Sequence, residues 1–82
     1  MDRKYRNENQ FYSTNQRILG NCNAINFVNT GTITVYINNF PVTTGNSLSF
    51  SGNENEIDGT EYFIDFQGAL NGELWVMKKI NL

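Results

Sequence analysis

An 82-residue chain with a net charge of −2 makes one domain, and at that size it buries only about 60% of its unfolded surface. With no His and a single Cys, it has neither an internal disulfide nor the thiolate and imidazole set of a structural metal centre. Small domains without such staples gain stability from partner subunits, so an oligomer or larger assembly is expected.

Residues 1–17 are polar, with Tyr5, Phe11 and Tyr12 as their only sizeable apolar groups. They lack a clean hydrophobic period and read as an extended arm or a poorly formed helix. Residues 18–82 read as a single β-sandwich domain. Ala24 to Val28 alternates, with Ile25 and Phe27 on one face. Asn29-Thr30-Gly31 is a turn signal. Thr32 to Asn38 is the clearest strand, rich in β-branched residues, with Ile33, Val35 and Ile37 opposed to Tyr36. Asn38-Asn39 starts a turn or bulge. Pro41 removes a ladder donor, which makes Phe40 to Thr43 an edge strand or a crossing segment. Thr44-Gly45-Asn46 turns again, and Ser47 to Ser51 alternates with Leu48 and Phe50 inward. An acidic loop, Gly52 to Gly59, precedes a strand over Glu61 to Gln67. Asn71-Gly72 is a hairpin signal, because a type I′ turn needs positive φ at both central residues. A two-residue loop there sets Phe66 opposite Met77, Asp65 opposite Lys78 and Phe63 opposite Ile80. These elements amount to about five to seven short strands: an all-β chain, a small sandwich of immunoglobulin-like or jelly-roll-like type.

Charge is segregated along the chain. Residues 1–17 sum to +2, residues 18–77 to −6 with no basic residue, and Lys78 and Lys79 add +2. An acidic body with basic ends favours ordered self-association over nucleic-acid binding. No apolar run approaches the ~20 residues of a membrane-spanning helix. The opening MDRKYRNENQFYSTNQR has no apolar core of a secretory signal, so manufacture in a cytoplasm is expected.

Chemistry is sparse. Ser13, Ser47, Ser49, Ser51 and Cys22 have no His to activate them, and no motif supports a Ser–Lys pair with Lys78 or Lys79. Glu54, Glu56, Asp58 and Glu61 cluster in or beside one loop, where carboxylates are ordinarily solvated. The stretch Asn53 to Asp58 has oxygen donors for a cation but not the EF-hand ligand order, and it reads first as a hydrophilic turn capped by Asx side chains. The glycines fall at turns rather than in a phosphate loop. No enzyme activity, cofactor, metal or small-molecule substrate is expected. The aromatics Tyr36, Tyr62, Phe63 and Trp75 read as core or interface groups, with a sugar platform as the other reading.

Phe27-Val28-Asn29-Thr30-Gly31, Val35 to Val42, Gly45 to Phe50 and the strand Tyr62 to Phe66 resemble small β-rich structural proteins of bacteriophages, especially those infecting Bacteroidetes-type hosts. The resemblance covers about half of the chain and leaves out residues 1–17 and the last hairpin. It implies a virion component without catalytic or ligand residues. The expectation is therefore a non-enzymatic virion structural protein, made in the host cytoplasm, that packs against copies of itself and other virion proteins through its sandwich faces and arm. Nucleic acid and membrane are not expected partners. Tyr5, Phe11, Tyr12, Tyr36 and Trp75 are the candidate contact residues. The alternative is a carbohydrate-binding or adhesion module, with Trp75 or Tyr36 exposed beside Asn and Asp.

Overall fold

The computed structural model describes residues 4–52 and 56–81, and among these it is all β. Eight strands follow one another: β1 (Tyr5–Tyr12), β2 (Gln16–Leu19), β3 (Ala24–Asn29), β4 (Val35–Ile37), β5 (Phe40–Val42), β6 (Ser47–Ser51), β7 (Glu61–Asp65) and β8 (Leu74–Asn81). They build two antiparallel sheets of four strands, ordered β1-β8-β3-β6 and β2-β7-β4-β5. Strand β1 pairs with β8, β2 with β7, β3 with β6 and β4 with β5. The first half of the chain therefore lies along the second half as one long folded ribbon. Further pairings of β3 with β8 and β4 with β7 roll that ribbon into two facing sheets. This strand order is that of a jelly roll.

The core follows the period-2 pattern. Ile25 and Phe27 of β3 and Leu74 and Val76 of β8 point inward from one sheet. They meet Val35 and Ile37 of β4, Val42 of β5, and Tyr62 and Ile64 of β7 from the other. The Phe27 and Tyr62 rings pack across the sandwich with centroids 5.0 Å apart. Pro41 sits on edge strand β5, where its missing N–H costs no rung.

The turns show why the chain is rich in Asn. Asn38 and Asn39 have φ of 48° and 69° and join Ile37 to its partner Phe40, which is a two-residue type I′ hairpin. Gly45, at φ 78°, is the third residue of a turn closed by Asn46 N–H donating to Thr43 C=O at 3.0 Å. Elsewhere Asn side chains take the place of missing rungs. Asn29, fully buried at the end of β3, donates to the carbonyls of Ile33 (2.8 Å) and Val42 (2.9 Å) and accepts from Gly31 N–H (3.0 Å). The Asn15 and Asn38 carbonyl oxygens each accept a β7-side N–H, from Phe66 and Phe63, at 2.8 Å.

Three expectations are corrected. First, residues 5–12 are not a separate arm but a strand paired with β8 along its whole length, and β2 straddles the boundary placed after residue 17. The ladder needs only backbone groups, so a polar sequence serves at an edge. Second, Asn71-Gly72 does not close a hairpin. Strands β7 and β8 belong to different sheets, so Lys78 lies opposite Glu8 and Ile25, not Asp65. The type I′ geometry falls earlier, at Gln67 and Gly68 (φ 53° and 74°), closed by Ala69 N–H to Phe66 C=O at 3.1 Å. Third, the strand expected over Thr32 to Asn38 is only Val35–Ile37, because Asn29 holds the carbonyl of Ile33 in the preceding loop. Phe50, on the inward-facing side of β6, is 43% exposed at the sheet margin while its ring still contacts Tyr62 at 5.7 Å.

Candidate interaction surface

The register of the first sheet sorts its outward side chains into rows. Phe11, Trp75, Val28 and Ser47 form one row across β1, β8, β3 and β6. Asn9, Met77, Asn26 and Ser49 form the next, followed by Asn7, Lys79, Ala24 and Ser51. Tyr5 stands opposite Asn81 at the end of the face. The face thus grades from aromatic, through amide, to a single basic row.

Three of the five candidate contact residues meet here. The rings of Phe11 and Trp75 touch at 5.2 Å between centroids, tilted by 55°, and remain 39% and 41% exposed. Tyr5 is 56% exposed, and the Lys79 ammonium lies 4.9 Å from its ring centroid, a cation–π arrangement. Between them, Ser49 Oγ donates to Asn26 Oδ1 at 2.7 Å.

Tyr12 and Tyr36 lie elsewhere. Tyr12 stands opposite Leu74, on the side facing the core, and packs against it. Burial pushes its phenol above the usual range. Tyr36 is half-buried on the outer face of the second sheet, opposite Pro41 and Asp65. That face is more charged: Arg17 lies 3.2 Å from the Glu61 carboxylate and 5.2 Å from the Phe63 ring centroid.

Strand β1 contributes a second unusual feature. Tyr5 to Phe11 are exposed on both sides of the ribbon, and the strand lies at the end of its sheet. Arg6, Glu8 and Gln10 are aligned with the core-facing residues of β8, yet the second sheet does not cover them. Arg6 and Glu8 are joined at 3.0 Å. Sequence reasoning missed this strand, along with Met77 and Lys79 as members of the face. The signal available was opposite charges two residues apart, with aromatics at both ends.

The acidic loop is a structural corner over the part that is described; Asn53 to Asn55 lie outside the described residues. Asp58 bridges to Cys22 through the backbone. Its carboxylate accepts from the Thr60 N–H at 2.8 Å and from the Tyr62 hydroxyl. Those bonds, Thr60 first, hold the Asp58 carboxyl below the usual carboxylate range. Burial, and secondly the bond to Asp58, push the Tyr62 phenol far up. Burial likewise raises the Cys22 thiol, the environment of an inert rather than a nucleophilic cysteine. Among the described residues no cluster of three metal-ligating side chains occurs, and no helix is long and apolar enough to cross a membrane. No family model, curated protein or solved structure matches the chain.

Proposed function

We propose that this chain is a non-enzymatic structural component of a phage virion, assembling in multiple copies through the outer face of its first sheet and through β1. One observation carries the reading: the fold brings Trp75 against Phe11, distant from it in sequence, and sets Tyr5 on the same sheet face, without burying any of the three. Trp and Tyr are enriched among the few residues that carry most of the binding energy at protein interfaces. Capsid domains are among the users of the jelly-roll strand order, which supports the virion setting by analogy of fold alone. The phage resemblance points the same way.

The test is the mass of the native protein by light scattering behind a sizing column, over a range of concentrations. An oligomer is expected, and the double variant Phe11→Ser/Trp75→Ser should raise its dissociation constant by roughly 30-fold or more, the effect of losing about 2 kcal/mol of aromatic anchoring. A protein that stays monomeric at every concentration refutes the assembly reading.

A second reading rests on the amide row beside Trp75. An exposed indole flanked by Asn9 and Asn26 can stack on a sugar and hydrogen-bond its hydroxyls, and lectin domains also use jelly rolls. Tryptophan fluorescence titrated with a glycan panel decides this reading: no change with any glycan removes it.

A further inference from the structure

Resting on the assembly reading, we infer that the free edge of β1 pairs with β1 of a second copy, antiparallel, about a twofold axis at Asn7, joining two four-stranded sheets into one.

The four sheet edges are not equivalent. Strands β2, β5 and β6 have 4, 3 and 5 residues, and β5 carries Pro41, whereas β1 has 8 residues and no Pro or Gly. A long edge is a template for another strand, and charged side chains on it, here Arg6 and Glu8, turn away strands that do not match them while admitting one of complementary charge. In an antiparallel strand alternate residues aim their N–H and C=O away from the neighbour already paired, so β1 carries a row of such groups with no strand among the described residues to receive them. Exposure of both faces of β1 leaves room for a second strand and whatever follows it.

Charge selects the occupant and the register. A twofold axis perpendicular to the sheet keeps outer face beside outer face, and it lies midway between one residue of β1 and its own copy. Centred on Asn7, it sets Arg6 opposite Glu8 of the second copy, and Glu8 opposite its Arg6. With the Arg6–Glu8 pair already formed within each chain at 3.0 Å, the dyad gathers four alternating charges. Centred on Glu8, the axis sets Glu8 against its own copy and matches no opposite charges; centred on Arg6, it sets Arg6 against its own copy and reaches its opposite-charge pair, Lys4 with Glu8, only beyond the end of the strand. Centred on Asn9, it matches no opposite charges. On the outer face the Asn7 register puts Tyr5 diagonal to Phe11 of the second copy, within reach for aromatic side chains, so the two aromatic faces become continuous.

The test uses the whole chain. In this register the two Asn7 Cα atoms lie about 5 Å apart, within disulfide reach, while the two Asn9 Cα atoms lie about 14 Å apart. Both residues are exposed on the same face, and Cys22 is 1% exposed and out of the way. Under mild oxidation Asn7→Cys should cross-link into a dimer and Asn9→Cys should not. Glu8→Arg should weaken the dimer about tenfold, by turning two attractive cross-strand pairs repulsive, and Arg6→Glu/Glu8→Arg should restore it. An oligomer in which Asn7→Cys fails to cross-link, or cross-links no faster than Asn9→Cys, overturns this inference and leaves the assembly reading standing. A wild-type protein that never leaves the monomer overturns both.

Discussion

Asn29 is wholly buried, yet each polar atom of its side chain has a partner: two carbonyls for its amide and one N–H for its oxygen. A buried amide with all its bonds made stabilises a loop as a rung stabilises a ladder, and one left unmade would cost about 1–3 kcal/mol. Gly72 illustrates the opposite requirement, for space. A Cβ placed there would lie 2.2 Å from the Phe66 ring, and Phe66 is 2% exposed, with no room to retreat. Gly72→Ala should therefore destabilise the fold by about 1–3 kcal/mol, the range of overpacked cores, seen as a lower urea midpoint at unchanged slope. The Asn-Gly pair is legible as a special site but not for what it does. Its residues suggest positive φ, and only Asn71 adopts it, at 65°; the glycine is there because an aromatic ring covers it. Tyr12, on the core side of the first sheet, and Tyr36, on the outer face of the second, are set apart from Trp75 for a related reason. Which face an aromatic takes depends on register, and register depends on which strands pair, which no local pattern states.

At the scale of elements, β3, β5, β6 and β7 were legible within a residue or two. Their apolar residues alternate, and Gly, Pro or Asn closes them. β1 was not, because alternation of polar with polar carries no hydrophobic signal and an edge strand needs none. Its attachment is correspondingly weak. Tyr5 to Phe11 bury no face, so the ladder to β8 and the Phe11–Trp75 and Tyr5–Lys79 contacts hold the strand. In the monomer, β1 amides should exchange with solvent far faster than those of β3, whose Ile25 and Phe27 lie in the core, because local opening follows local burial. In the assembled form they should become protected. Hydrogen exchange read by mass spectrometry above and below the dissociation constant checks both halves. Equal protection of β1 and β3 in the monomer would show that the strand is held by more than its ladder.

The whole molecule is a ribbon of successive pairings that span more and more of the chain, from β4 with β5 across a two-residue turn to β1 with β8 across nearly its full length. The fold class was legible from the repeated short strands and turns; the pairing order was not, because it is a property of closure rather than of any segment. Topologies dominated by distant contacts fold slowly, in milliseconds to seconds. Because Tyr5 stands opposite Asn81, the first and last strands are neighbours at their outer ends. A short peptide bridging that gap would turn the most distant pairing in the chain into a hairpin. The circularised protein should refold faster than the linear one in stopped-flow fluorescence of Trp75, with little change in the folded state. The same ring could then be reopened at the exposed Asn38-Asn39 turn, moving both chain ends to a different corner while keeping every pairing except the connection at that turn.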